Sequence, residues 1–503
     1  MSSTLGMVSR GPAHRITDVF RRASAVPSRG PVPRTPPAVR GLRAALGVLL
    51  VLGPAACGGV DGTPGGSGLR DPYFPRAGNG GYDVVRYALD LSYDPAGRRL
   101  SGTAAITARA LKDLSAFDLD LRGMDVEQVV VDGRRARFSR SGQELVVRPR
   151  DEPGRGRTFR VTVRYSGVPE TITDPDGSKE GWLPAGDGVL ALGEPVGSMA
   201  WFPGNHHPSD KASYDIAVTV PRGLQVVSNG ELAERATVRD GRVRFRWRTA
   251  EPMATYLATL AVGDYAVSRS TVTTKEGGEL PVYSAVAPSQ SGPGRRALAR
   301  LPEVVRWGEE NFGPYPFAST GAIVADEGVS GYALETQNRP VFPGAPGTGL
   351  LVHELAHQWF GNSVTPGSWR DMWLNEGFAT YAEWLWEEDR GGDSAQETFR
   401  AVYDRGDEED EDLWSFPPAE PSGAGTLSGA PVYQRGAMVL HQIRRTVGDD
   451  AFRGILRGWA AARRHGNATT ADFTAYVEKH APREDFSEIW RVWLYGDGKP
   501  GKP

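Results

Sequence analysis

The sequence predicts a two-domain protein in which an N-terminal all-β domain precedes a mainly α-helical domain. Short runs of alternating polar and apolar residues, separated by Gly, Asp and Pro, extend from Tyr82 to about residue 268. This period of two is typical of half-buried strands. From about residue 293 the apolar residues recur instead at the spacing of amphipathic helices. A length of 503 residues also favours two or three domains over a single core.

The composition is that of a globular protein with no preference for polyanions. Hydrophobic residues make up 39% and charged residues 24%, which excludes polytopic membrane proteins and disordered chains. Eight Arg and one acid precede Cys57, so the remainder carries 50 Lys and Arg against 60 Asp and Glu, a net charge of about −10. That balance gives no support to a nucleic acid as partner.

The first 57 residues have the pattern of an export signal. An Arg-rich stretch ends at Arg43, and the apolar run AALGVLLVLGPAA then leads to Cys57, the single cysteine. Its thirteen residues are too few to span a bilayer. Small residues directly before the cysteine resemble a bacterial lipoprotein signal, which implies an extracytoplasmic protein held at the membrane only by a lipid on Cys57. A cleaved signal peptide and a secreted protein are the alternative.

Composition divides the rest of the chain into three parts. Residues 58–80 are rich in Gly, Pro, Ser and Asp, which predicts a flexible linker. The strand-like runs predict a β domain at 81–268. Helical patterns dominate the predicted domain at 269–503, beginning with RRALARLPEVVRWGEENFG, which stops at Gly313.

A metal-binding pattern lies in the helical domain. His353 and His357 belong to the pentad HELAH within an apolar helical run, and residues four apart share one face of a helix. Both imidazoles can therefore reach one ion. Such a pentad also occurs by accident, and a His on an apolar helix is more often a core residue. Glu354 is placed to accept a proton from a water molecule at the metal.

A third ligand is required because catalytic zinc takes three protein ligands. Eighteen residues separate His357 from Glu376, which lies in the second helical segment WLNEGFATYAEW. A short loop would bring that carboxylate to the metal. Glu383 follows seven residues later on the same helical face and is a candidate hydrogen-bond partner of a ligand His. A surface Glu is the alternative for Glu383.

These motifs resemble one enzyme family. HELAHQWFGN together with WLNEGFATYAE resembles the aminopeptidase N family of zinc metallopeptidases, the gluzincins, and the similarity covers roughly residues 82–495 through PMATYLATLAVGDY, NFGPYPF, VYQRGAMVL and WRVWL. The resemblance implies a saddle-like β domain, a thermolysin-like catalytic domain and one Zn²⁺ per chain. The chain ends where the family's long C-terminal helical domain would begin, so it resembles a short two-domain member.

The resemblance also implies substrate-binding residues. The family's Gly-Ala-Met-Glu-Asn motif corresponds to residues 332–336, where the Ala and Glu335 are retained. A second family segment, Gln-x-Glu, corresponds to residues 192–194, where Leu192 replaces the Gln and Glu194 is retained. Both glutamates would bind the ammonium group of a peptide's free N-terminus. A turn residue is the alternative for Glu194. Tyr433 matches the family tyrosine that donates to the oxyanion, and a core Tyr is its alternative.

The sequence therefore predicts a zinc aminopeptidase that acts on peptides with a free N-terminus. Three other functions stay open at this point. They are an endopeptidase on the same zinc site, a hydrolase of a non-peptide substrate such as a lipid epoxide, and a non-catalytic binding lipoprotein.

Overall fold

The computed structural model describes residues 62–405 and 413–502. The predicted export segment 1–57, including Cys57, lies outside the described residues. Within the described ranges, no helix combines the length and the apolar character needed to cross a bilayer.

The first described residues form three short strands against the β domain. They are β1 Thr63–Pro64, β2 Gly66–Ser67 and β3 Asn79–Gly80. The β domain then follows with sixteen strands: β4 Tyr82–Asp94, β5 Arg99–Ala110, β6 Leu114–Asp120, β7 Asp125–Val131, β8 Arg134–Arg135, β9 Arg137–Ser141, β10 Glu144–Arg148, β11 Thr158–Gly167, β12 Thr171–Thr173, β13 Lys179–Ala185, β14 Gly188–Leu192, β15 Lys211–Val220, β16 Gln225–Ser228, β17 Glu231–Thr237, β18 Val243–Ala254 and β19 Leu260–Gly263.

Three sheets build this domain. The largest has eight strands in the order β17-β18-β15-β4-β5-β11-β7-β8, and only β15 and β4 run parallel in it. A five-stranded sheet has the order β12-β13-β14-β19-β16, and a four-stranded sheet has the order β1-β6-β10-β9. The alternating residues Tyr87, Leu89 and Leu91 of β4 are buried, because successive side chains of a strand point to opposite faces. The all-β expectation is confirmed.

The second domain combines eight described helices with a small sheet. That sheet has the order β20-β21-β22-β23 and consists of β20 Ala266–Thr273, β21 Glu279–Val286, β22 Thr320–Val324 and β23 Val341–Phe342. The helices are α1 Ser291–Leu298, α2 Leu301–Phe312, α3 Thr348–Ala356, α4 Trp373–Asp389, α5 Ala395–Arg405, α6 Gly436–Val447, α7 Asp449–Ala462 and α8 Thr470–His480. A short parallel pair joins β24 Thr365–Pro366 to β25 Asn467–Ala468. The domain boundary predicted after residue 268 falls inside β20. The alternating pattern of this strand continues beyond that residue.

The prediction of a flexible linker is wrong for residues 62–80. β1 pairs with β6 in the β domain. Asp71 is buried and accepts hydrogen bonds from Ser368 Oγ at 2.7 Å and from the backbone N–H of Trp369 at 3.0 Å, both in the helical domain. The hydroxyl of Tyr73 donates to the carbonyl of Pro421 at 2.7 Å. Low hydrophobicity suggested a tether, but polar side chains and backbone pairing fix this segment to both domains.

A second set of hydrogen bonds joins the two domains near α3. Lys211 lies at the start of β15, and its Nζ donates to the carbonyls of Asn362 and Ser363, each at 3.0 Å, and to that of Gly466 at 3.3 Å. The β domain is thereby joined to the loop that follows the HELAH segment.

Candidate active site

Helix α3 carries the first two predicted metal ligands. Leu351, Val352 and Leu355 bury its apolar side, and this packing fixes which way the histidines point. The helix ends at Ala356, with His357 as its C-cap in helical conformation. The chain then turns at Gly361, whose φ is 118°.

Helix α4 packs against α3 and supplies the third predicted ligand. Oε2 of Glu376 lies 3.2 Å from Nε2 of His353 and 3.4 Å from Nε2 of His357. A tetrahedral zinc site with bonds of about 2.1 Å places its donor atoms about 3.4 Å apart. The two nitrogens and one oxygen thus have the chemistry and the spacing that zinc requires, and all three residues are buried.

Each histidine is oriented through its other ring nitrogen. Nδ1–H of His353 donates to Oε1 of Glu383 at 2.7 Å, and Nδ1–H of His357 donates to the carbonyl of Phe360 at 3.1 Å. These bonds leave the Nε2 lone pairs directed at one point, which is the usual arrangement of metal-binding histidines. The structure therefore places Glu383, which is partly buried, against a predicted ligand.

Electrostatics holds the three donors together even without an ion. Burial alone would raise the pKa of Glu376, but the imidazoles of His357 and His353 hold it at about 2. Burial would lower the pKa of His357, but Glu376 and Glu335 raise it to about 9. Because zinc takes neutral imidazole, binding of the ion must displace protons from this cluster.

The predicted general base, Glu354, directly follows the ligand His353 in α3. The side chain of Glu354 is buried, and its Oε2 has no hydrogen-bond partner among the described residues. Burial, reinforced by Glu335 and Glu376, raises its pKa to about 8, although His353 and His357 act in the opposite direction. An unsatisfied buried carboxylate oxygen beside three metal donors is suited to accept a proton.

Tyr433 lies beside His353. Its ring is nearly parallel to the imidazole, with centroids 6.0 Å apart and an interplanar angle of 9°. The residue belongs to a π-helical turn, Pro431–Arg435, that precedes α6, and such turns occur often at functional sites. Burial raises the pKa of Tyr433 well above its usual range, so its hydroxyl keeps the proton that a donor needs.

Two further carboxylates approach from different domains. Oxygen atoms of Glu194, Glu335 and Glu376 all lie within 4.8 Å of one another. Glu335 is buried, whereas Glu194 is partly exposed. Burial and the neighbouring charges of Glu335 and Glu376 raise the pKa of Glu194 well above its usual range. A cation placed between these groups would relieve their repulsion.

The structure adds residues that the sequence reasoning missed. Nδ2 of Asn375 donates to Oε1 of Glu335 at 2.8 Å, so the residue before Glu376 orients a predicted amine ligand. The backbone carbonyl of Glu335 accepts from Gln358 at 3.1 Å and from Asn362 at 2.6 Å. These amides lie within HELAHQWFGN and WLNEGFATYAE, but nothing in their spacing indicated a partner.

Comparison with known proteins supports this geometry. The peptidase family M1 domain matches residues 346–493, and the peptidase M1 N-terminal domain matches residues 84–257. "Probable aminopeptidase 1" of Saccharolobus solfataricus is 25% identical over 456 residues, which cover 84% of this chain and 54% of that protein. Human glutamyl aminopeptidase is 28% identical over 343 residues, which cover 61% of this chain and 34% of that protein. The chain spans about half the length of the curated relatives it matches first.

Two solved structures match over nearly the whole of their length. The M1 zinc metallopeptidase of Deinococcus radiodurans is 30% identical with a TM-score of 0.79, and the match covers 87% of this chain and 98% of that one. A mutant of the same metallopeptidase, bound to a Tyr-Ser-Ala substrate, gives 29% identity and a TM-score of 0.80, with coverage of 87% and 99%.

Proposed function

Because the chain belongs to the M1 family of zinc metallopeptidases, we propose that it is an aminopeptidase that hydrolyses the N-terminal residue from peptides. The observation that carries the proposal is a cluster of three carboxylates, in which Glu194 and Glu335 lie next to the predicted metal ligand Glu376. Oxygen atoms of the three residues lie within 4.8 Å of one another. A site for a cation next to a zinc site is what the cleavage of a first peptide bond requires.

The two amine-binding carboxylates set where the substrate is cut. A peptide α-ammonium held by Glu335 and Glu194 would sit one residue from the metal donors. The carbonyl of the substrate's first residue, and not that of a later residue, then reaches the metal donors. A residue that preceded the amine would convert it to an uncharged amide, which these carboxylates would no longer bind as a cation.

Zinc held by His353, His357 and Glu376 would supply a Lewis acid that polarises the scissile carbonyl and acidifies water. Glu354 accepts the proton of the attacking water as the C–O bond forms. It then delivers that proton to the nitrogen as the C–N bond breaks, so the products are an amino acid and a shortened peptide. The unsatisfied Oε2 of Glu354 supports this role.

Tyr433 donates a hydrogen bond to the oxyanion that develops during the attack. Its position stacked on His353 supports this role, because the developing charge forms next to that ligand. A protonated phenol aimed at the charge stabilises the transition state more than the ground state.

The proposal is tested with matched pairs of substrates. We expect aminoacyl-7-amido-4-methylcoumarins to be cleaved, and their N-acetylated counterparts to be cleaved at least about 100-fold more slowly. A chelator should abolish activity and added Zn²⁺ should restore it. Efficient cleavage within N-acetylated peptides would instead identify an endopeptidase. Zinc-loaded protein that cleaves neither class would contradict the proposal.

We also propose that the chain is exported and anchored through a lipid on Cys57. The support is the Arg-rich stretch, the thirteen-residue apolar run and the small residues before the cysteine. Labelling of the wild-type chain with palmitate in a bacterial host, lost in the Cys57→Ser variant, is the expected result. Release of an unlabelled mature protein would contradict the anchor.

A further inference from the structure

A second buried acid supports the turn that carries Glu194. Glu180 lies on β13 and is 0% exposed. Its Oε2 accepts hydrogen bonds from the backbone N–H of Gly197 at 2.6 Å and of Val196 at 3.1 Å. These two residues follow Glu194 by two and three positions, so the carboxyl group of Glu180 closes the turn at residues 193–197.

The turn has little freedom on its other sides. A Cβ atom on Gly193 would lie 2.4 Å from the carbonyl oxygen of Tyr256, and one on Gly197 would lie 2.3 Å from that of Leu192. Backbone therefore packs on backbone around the turn. The N–H groups of Val196, which is partly buried, and of Gly197, which is buried, face Glu180, and without it both donors would lose their acceptor.

Asp174 lies next to Glu180 and affects its protonation. Burial raises the pKa of Asp174 to about 7, and burial together with the neighbouring Asp174 raises that of Glu180 well above its usual range. The pair thus holds a proton near neutral pH. A glutamine in place of Glu180 could still accept from the backbone and donate to Asp174.

We propose that Glu180 is a positioning residue for amine recognition, which fixes the turn so that the carboxylate of Glu194 faces the substrate ammonium. The inference rests on the proposed aminopeptidase function. Glu180 touches no substrate in this arrangement. Its removal releases the turn at residues 193–197, so it weakens the binding of the amine while the metal donors keep their place.

The test uses two inhibitors that differ only in the amine. L-leucine hydroxamate carries the α-amine, and 4-methylpentanohydroxamic acid lacks it. The inhibition constant of 4-methylpentanohydroxamic acid divided by that of L-leucine hydroxamate measures amine recognition. This ratio does not depend on how much of the protein is folded. In the zinc-loaded enzyme we expect Glu180→Met to reduce this ratio about tenfold and Glu180→Gln to restore it to within about twofold.

Control variants separate positioning from stability. Glu144→Met also removes a buried acid of the β domain, but one on the four-stranded sheet, and it should leave the ratio unchanged. If Glu180→Met does not fold, Glu180→Asp withdraws the carboxyl group from the same N–H donors and should reduce the ratio in the same direction.

The outcomes distinguish the inference from the proposed function. An unchanged ratio in folded Glu180→Met or Glu180→Asp, or an equal loss of affinity for both hydroxamates, would overturn the positioning role. If the wild-type enzyme itself binds both hydroxamates equally and cleaves no free-amine substrate, the aminopeptidase proposal fails first.

Discussion

Glu383 and His353 form a 2.7 Å hydrogen bond between two helices, from Nδ1–H of the imidazole to Oε1 of the carboxylate. The bond joins α4 to α3 and fixes the side of the ring that faces Glu376. It also increases the basicity of the Nε2 atom that would bind the metal.

Replacement of Glu383 by Gln should weaken zinc binding by about 10- to 100-fold, because an amide supports the ligand imidazole less than a carboxylate does. Titration of the metal-free protein against a competing chelator measures this change. Glu387→Gln alters an exposed residue of the same helix and should leave zinc affinity unchanged. Equal affinities in the two variants would show that the 2.7 Å bond does not tune the site.

Glu354→Gln should retain zinc but lose turnover by about three orders of magnitude or more, since an amide cannot accept the proton of water. Metal content measured by elemental analysis and kcat measured on an aminoacyl coumarin test the two halves of this expectation. A variant with near-normal kcat would require another general base.

Tyr433→Phe should lower kcat about 100-fold with little change in KM, because the hydroxyl acts on charge that develops only in the transition state. Tyr381→Phe is the control, since it removes a buried hydroxyl that is hydrogen-bonded to His441 and not to a predicted site residue. A similar loss in both variants would indicate general destabilisation, not oxyanion binding.

Asp71→Asn should destabilise the protein in a pH-dependent way. Hydrogen bonds from His207, Ser368 and the backbone outweigh burial and hold the pKa of Asp71 at about 2, below its usual 3.8. A carboxyl group whose pKa is lowered by folding stabilises the fold above its unfolded pKa of 3.8. For Asp71 this contribution is about 2 kcal/mol, and it is lost as the pH falls towards 2.

The measurement compares denaturant unfolding of wild type and Asp71→Asn between pH 7 and pH 3. About half of the difference in unfolding free energy should have disappeared at pH 3. Asp90→Asn removes the exposed partner of Arg244 and should change stability by less than about 1 kcal/mol at any of these pH values. A pH-independent effect of Asp71→Asn would contradict the ionised, hydrogen-bonded state.

Local patterns were sufficient to predict the parts of the protein that depend on periodicity. Strand alternation predicted the β domain, and the four-residue spacing of His353 and His357 with the distant Glu376 predicted the donors that the structure brings together. The roles of Glu354, Tyr433, Glu335 and Glu194 stay predictions.

The remaining features depend on contacts between distant segments. Asn375 reaches Glu335 over 40 positions, and Glu180 closes a turn 16 and 17 positions away. Residues 62–80 have the composition of a linker, but their order comes from Asp71 and from strand pairing with residues far along the chain. A single sequence carries no signal for such partners, because one pair of buried polar residues produces no periodic pattern.

Under the proposed function, substrate selection is a property of the whole molecule, because Glu194 and Glu335 belong to different domains. Any rotation of one domain against the other would change the gap between the two carboxylates, while the histidine ligands on α3 would be carried along unaltered. Lys211, with its three carbonyl acceptors, and Asp71 oppose such a rotation. If the proposed roles hold, loosening the junction between the domains would impair the recognition of free amino termini before it impaired metal binding.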